Sequence, residues 1–425
     1  MARPLSSGTS PEQARPGTGH HAGPGTGLHA GPGTGSGTGF DTDELHRIVP
    51  ELVAYLSDGP AHPWCAGAVA LAGRGRTVAL HEAIGWAVRY AGYDEAADRG
   101  VELPRERWVP MRPDTVFDLA SLTKLFTAVA AVQQIERGTL RLDAPVAGYV
   151  PGLTAAAAHG ITVRHLLTHT SGLRPELPLY DLPDPEQRAA RLAAEEPLTA
   201  PGTARCYSDL NLLLLHTVLE HITGRPLDRL IADGITGPLG MADTRFRPPA
   251  SWLPRIAATE DQRKPWGKLD RGMVHGVVHD ENAYAMGGVA GHAGLFSTAW
   301  DLALFARALL DAAARDDGGR GPGTDAGAGI LAPASAHLLL GGIPGPDGSR
   351  APLGFEADQP WFMGELAGRG AVGHTGFTGT SLVIDPASDS FLVLLANSVH
   401  PSRTWRDGSA PRATAATLLA RALRV

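Results

Sequence analysis

A chain of 425 residues that is 43% hydrophobic exceeds the size at which one core usually stops growing, so two structural lobes are expected. A formal net charge of -7 gives no basic field for phosphate backbones or anionic lipid surfaces, which argues against nucleic acid and membrane partners. No run approaches the roughly 18 consecutive apolar residues of a membrane span, and residues 1–10 lack the charged start and apolar stretch of a secretory signal, so a cytoplasmic protein is expected.

In chain order, residues 1–40 are dominated by Gly, Pro, Ser, Thr and His, with a near-repeat at 21–27 and 29–35. Such a segment buries too little apolar surface to offset its ordering entropy, so a disordered Gly/Pro-rich tail is expected. Leu45, Ile48, Val49, Leu52 and Leu56 recur at helical spacing and predict an amphipathic helix over 40–56. The apolar runs 66–71 and 77–83, separated by Gly73-Arg74-Gly75, read as a strand pair. Leu122, Leu125, Phe126, Val129, Val132 and Ile135 share one face of a helix over 121–137, which Gly138 ends. Further helices are expected at 163–167, 210–222, 226–235 and 300–310, followed by a Gly-rich surface loop at 316–329. The β-rich runs 381–384 and 391–396 and a closing helix at 413–423 complete the chain. Strands at both ends with helices between them predict one sheet built from both termini and a helical insertion as the second lobe. Cys65 and Cys206 form neither a disulfide framework nor a zinc set and read as small buried hydrophobes.

The chemistry centres on Ser121-Leu122-Thr123-Lys124, an S-x-x-K whose spacing puts hydroxyl and amine side by side at the start of a helix. A serine hydroxyl needs a base to become nucleophilic, and a lysine in a crowded site, lowered to a pKa of roughly 7–8, is such a base. Helix N-terminal amides at Ser121 also suit a developing oxyanion. Such a motif arises by chance on many helices, but lysine occurs in this chain only at 124, 264 and 268.

Two further motifs follow: Tyr207-Ser208-Asp209 before the helix at 210, and His374-Thr375-Gly376 before the C-terminal strands. In this order the three elements resemble those of the serine β-lactamase and penicillin-binding protein superfamily, nearest its class C and D-alanyl-D-alanine carboxypeptidase branch. The segments 162–173 and 287–298 resemble the same family, and together the likeness covers about residues 45–423. It implies an α/β fold, an antiparallel sheet flanked by helices (about 41–118 and 350–425) with an all-helical lobe (about 119–349) and a cleft between them. It also implies Ser121 as acyl-forming nucleophile, Lys124 as base or proton relay, and Tyr207 as proton donor to the leaving group and base for deacylation. The oxyanion hole would be the backbone amides of Ser121 and Phe377, and Asp209, His374, Thr375 and Gly376 would contact the substrate.

Asp209 stands where lactam-recognising members usually carry Asn; an ionised carboxylate can pair with Lys124 but cannot donate a hydrogen bond. That favours esterase or peptidase activity over lactam hydrolysis. His374 replaces a commoner lysine and, when protonated, would offer charge to a substrate carboxylate. His165 and His169 have zinc-helix spacing without an adjacent glutamate or a third ligand, so a structural role near Ser171-Gly172 is expected. His275, His279 and His292 read as a Gly-rich wall near the cleft, and Thr298 with Asp301 reads as a helix cap. The expectation is a monomeric, cofactor-free and metal-free serine hydrolase for a small ester or peptide, with β-lactamase activity or a catalytically silent binding protein as the alternatives.

Overall fold

Continuous apolar runs at the two chain ends build the centre of the sheet, because such strands have two apolar faces to bury. The computed structural model describes residues 28–30, 39–56, 62–315, 329–405 and 408–423. Its main sheet contains β1 (His29–Ala30), β2 (Gly67–Arg74), β3 (Thr77–Val88), β4 (Val109–Pro110), β5 (Glu356–Ala357), β6 (Val372–Thr375), β7 (Ser381–Asp385) and β8 (Ser390–Ala396). The order is β1-β3-β2-β8-β7-β6-β5, with β4 also on β3, and only the β1-β3 pair is parallel. Val69, Leu71, Val393 and Leu395 enter one hydrophobic core, while the intervening Ala68, Ala70, Leu392 and Leu394 enter another on the opposite face.

The second core is covered by α1 (Thr42–His46), α2 (Ile48–Ala54) and the C-terminal α7 (Ala410–Ala422). The small alanines of β2 let these helices approach closely; burying each large apolar side chain there contributes about 1.5–3 kcal/mol. Against the first core lies α3 (Thr123–Glu136), buried on almost every side, together with α6 (Ala299–Ala313). A helix that is apolar all round belongs at a centre, and α3 joins the sheet to the helical middle of the chain. That middle includes α4 (Val163–Leu167) and α5 (Asp209–Thr223). It also carries short strands, among them Phe117–Asp118, Arg245–Phe246 and Leu295–Ser297, which pair into a three-stranded piece.

Several local readings change. The helix expected over 40–56 is two helices, because Pro50 has no N–H to continue the ladder across Arg47. Within the tail expected to be disordered, residues 28–30 instead add β1 beside Thr77 and Val78, with Leu28 buried. Residues 1–27, 31–38 and 316–328, which hold the rest of that tail and the Gly-rich loop apart from residues 39, 40 and 329, lie outside the described residues. Cys65 is buried as expected, whereas Cys206 is only partly so. The helix expected over 226–235 runs only from Leu227 to Ile231 and then widens into a π-turn, Ala232–Thr236. Among the described residues, no helix is long and apolar enough to cross a membrane.

Candidate active site

Three turns converge where α3 meets the sheet. The first carries Ser121, which sits not on the α-helix but on a 3-10 turn, Ala120–Leu122, just before it. Ala120 has φ +46°, a left-handed conformation that costs a non-glycine residue about 1–2 kcal/mol. Side chains hold it there: Asp118 Oδ1 accepts from Ala120 N at 2.9 Å, Thr378 Oγ1 donates to Asp118 O at 2.7 Å, and Thr380 Oγ1 donates to Leu119 O at 3.0 Å. A strained turn persists where its surroundings over-determine it. Burial raises the Asp118 carboxyl above its ordinary range, opposed by the amides of His279 and Ala120.

Lys124, whose side chain is fully buried, donates from Nζ to Ser121 Oγ at 2.7 Å and to the carbonyl of His292 at 3.2 Å, and pairs with Asp209 Oδ1 at 2.8 Å. Burial favours the neutral amine, but the Asp209 carboxylate and Tyr207 outweigh it and hold Lys124 above the ordinary lysine range. The lowered amine expected from crowding alone is therefore corrected: the resting site holds an ammonium, because the sequence placed a carboxylate beside it. The Gly-rich segment 287–294 forms the wall that supplies these carbonyls. At Gly291 an added Cβ would lie 2.1 Å from Leu212 O, so only glycine allows the wall to pack on α5 while its own carbonyl accepts from Thr127.

The second turn enters α5. Ser208 caps that helix, accepting from Leu210 N at 3.2 Å and donating to Arg174 O at 2.6 Å. Asp209 thus begins the helix, where the macrodipole favours a carboxylate. The Tyr207 ring stacks on His169, centroids 4.8 Å apart, with Lys124 Nζ 5.0 Å from its centre. Burial raises the Tyr207 phenol above its ordinary range, against the pull of Lys124 and Ser121. His169 is held far below the usual imidazole range by burial and the nearby Arg205 and Lys124, and its Nδ1 accepts from Ser208 N at 3.1 Å. It positions Tyr207, a role its helical spacing with His165 did not reveal; His165 closes the capping box of α4 instead.

The third element is the end of β6, which carries His374 and Thr375 into a turn at Gly376. An added Cβ on Gly376 would lie 2.0 Å from Thr380 Oγ1 and 2.4 Å from Leu119 O, so glycine alone lets this turn approach the Ser121 turn. His374 is buried, its Nδ1 contacts Thr375 O at 2.7 Å, and its Nε2 is buried with no hydrogen-bond partner among the described residues. Burial and the Lys124 charge lower its pKa to about 4, so it is neutral at physiological pH. The condition attached to His374, that it offers charge only when protonated, is therefore not met near neutral pH, because a second buried charge beside an ammonium is costly.

Phe377 follows, partly exposed, its ring stacked on His279 with centroids 5.5 Å apart. His279 contacts Glu260 at 2.7 Å, and Arg403 bridges Glu260 and Glu281, a largely buried network beneath the Phe377 ring. His292 instead contacts Asp280 at 2.9 Å and His275 contacts Ile256 O at 2.8 Å, so the three histidines do not converge. Asp209, Asp280 and His292 come nearest to a ligand set, their donor atoms within 4.8 Å, with Asp209 engaged by Lys124 and Asp280 by His292. Thr298 caps α6 by accepting from Asp301 N, as expected.

With this geometry in hand, comparison with known proteins is informative. A family model described as Beta-lactamase matches residues 52–416. A protein of Escherichia coli (strain K12) that carries the provisional name D-alanyl-D-alanine carboxypeptidase is 32% identical over 330 residues, covering 69% of this chain and 72% of its own. An N-acetylmuramyl-L-alanine amidase of Bacillus subtilis (strain 168) is 30% identical over 73% of each chain. Among solved structures, a class C beta lactamase superposes with a TM-score of 0.65 at 21% identity, covering 89% of this chain and 98% of its own. EstCE1, a hydrolase with promiscuous acyltransferase activity, gives 0.61 at 22% identity, covering 89% and 99%.

Proposed function

Since the chain belongs to the Beta-lactamase family, we propose that it is a serine hydrolase that cleaves a small ester or amide through an acyl-enzyme on Ser121. The observation that carries this reading is the contact of 2.7 Å between Lys124 Nζ and Ser121 Oγ, at a turn strained into place beside the Tyr207 ring.

The resting ammonium defines the order of proton movements. Lys124 first passes a proton to Asp209 across their 2.8 Å contact, a transfer between adjacent groups that leaves the total charge of the pair unchanged. The resulting amine accepts the Ser121 proton as Oγ attacks the carbonyl carbon. The tetrahedral oxyanion is held by the amides of Ser121 and Phe377, each such donor being worth about 10²–10³ in rate. Tyr207 protonates the leaving group as the C–O or C–N bond breaks, and the phenolate then takes a proton from the water that attacks the acyl-enzyme. Ser121 recovers its proton from Lys124 as the acid product departs, and Asp209 returns its proton to Lys124.

Two features favour esters and neutral amides over lactams. Asp209 carries no amide N–H to offer a lactam amide, and neutral His374 offers no charge to a carboxylate. The names of the relatives favour a cell-wall-derived D-alanyl peptide as the alternative substrate. Turnover of nitrophenyl esters, a D-alanyl-D-alanine peptide and a chromogenic cephalosporin separates these. Esters are expected to be fastest, with activity abolished in Ser121→Ala; a cephalosporin turned over faster than every ester would overturn the reading.

A further inference from the structure

We propose that Arg412 is a positioning residue for the oxyanion hole, acting through the carbonyl of Gly376 on the amide of Phe377. The proposal rests on the Ser121 acyl-enzyme reading above. Arg412 lies in the first turn of α7, on the far side of the sheet from the cleft, and is the largest fully buried side chain among the described residues. Its Nη2 donates to Gly376 O at 3.0 Å, its Nη1 donates to Ser409 Oγ at 3.0 Å, and the guanidinium carbon is 5.6 Å from the centre of the Trp64 ring.

The Gly376 carbonyl and the Phe377 N–H are the two ends of one planar, conjugated peptide unit. A cation bonded to the oxygen draws electron density from the nitrogen through the conjugated C–N bond, which leaves the N–H hydrogen more positive. Charge-assisted hydrogen bonds are roughly twice as strong as neutral ones, and exclusion of water strengthens the effect. The same contact fixes the direction of the unit. Gly376 O also accepts from Gly379 N at 3.1 Å, Gly376 N donates to Thr380 O at 2.7 Å, and no space exists for a Cβ on the remaining side. The Gly376 carbonyl is thus held by two donors, and in a trans peptide the Phe377 N–H points to the side opposite that carbonyl, away from Arg412.

A guanidinium is a costly group to bury for packing alone, since an apolar side chain of similar volume fills such a site without the desolvation penalty. Its placement on the one carbonyl joined covalently to the proposed oxyanion donor gives that burial a chemical purpose. Being buried, Arg412 does not touch substrate; its effect is confined to the transition state and the acyl-enzyme, where negative charge gathers on the carbonyl oxygen.

The test uses the full chain with Arg412→Gln, which removes the charge, and Arg412→Lys, which keeps it. Folding is checked by circular dichroism. The readouts are kcat and KM for acylation by a nitrophenyl ester, and the infrared difference band of a ¹³C-labelled acyl carbonyl on Ser121. Arg412→Gln is expected to lower kcat about tenfold with KM nearly unchanged and to shift the carbonyl band to higher frequency, as a weakened donor requires. Arg412→Lys is expected to recover most of both. A folded Arg412→Gln enzyme with the wild-type band and rate would overturn the proposal. So would a folded Arg412→Lys enzyme whose kcat falls tenfold or more, a result that stands even if the glutamine variant fails to fold. Wild-type enzyme that forms no acyl-enzyme on Ser121 would overturn the parent reading instead, which the label detects before any variant is compared.

Discussion

Lys124 and Asp209 meet at 2.8 Å with the lysine side chain fully buried, so the group that touches the nucleophile is itself held by a carboxylate. In the mechanism proposed above, the pair holds one proton in either of two places. Either place leaves the same total charge, so the basic form of Lys124 is reached without exchanging a proton with solvent.

Asp209→Asn removes the internal acceptor and leaves burial as the main influence on Lys124. Wild-type kcat/KM for a neutral ester is expected to be flat between about pH 6 and 9, whereas the variant gains an acid limb inside that window, because a buried lysine tuned for catalysis titrates near 7–8. Superimposable profiles, or a wild-type profile that climbs throughout, would contradict the relay.

His374 carries no charge near neutrality, since its pKa lies at about 4. KM values for an acidic and a neutral ester are therefore expected to run parallel from about pH 5.5 to 8. A selective rise for the acidic substrate as pH passes about 6.5 would mean that His374 is a cation in the complex.

The same histidine links stability to acid. Its folded pKa of about 4 lies below the ordinary 6.5, so the unfolded chain binds the extra proton between these values. The stability it contributes is complete above pH 6.5 and is lost as pH falls through 4. His400, at about 3 and equally buried, acts in the same direction, whereas Asp301, raised to about 7 by burial, opposes both. Comparing wild type with His374→Gln isolates one group. The variant is expected to gain on wild type by roughly 3 kcal/mol as pH is lowered across this window, read from urea midpoints. A constant difference would contradict the neutral burial of His374.

Much of this was legible in the sequence. The i, i+3 spacing of Ser121 and Lys124 anticipates their contact, and the apolar, β-rich runs at both ends anticipate the sheet. What stayed hidden depends on long-range contact. Asp118, Thr378 and Thr380 make the strained Ser121 turn, yet nothing local distinguishes them from ordinary loop residues. His169 looked like half of a helical pair until the fold laid it under Tyr207. Arg412 sits in an unremarked C-terminal helix, and only the closure of the sheet brings it to Gly376. The pairing of Asp209 with Lys124 is legible in the sequence, but the full burial of the lysine, against which that pairing decides its charge, is not.

The most direct measurement is the intact mass of the protein during turnover of a slowly hydrolysed nitrophenyl ester, followed by peptide mapping. One acyl group per chain on the peptide containing Ser121 is expected, absent in Ser121→Ala and accumulating in Tyr207→Phe as deacylation slows. Ester turnover with an unmodified Ser121, or acylation at another residue that survives Ser121→Ala, would contradict the assignment of the nucleophile.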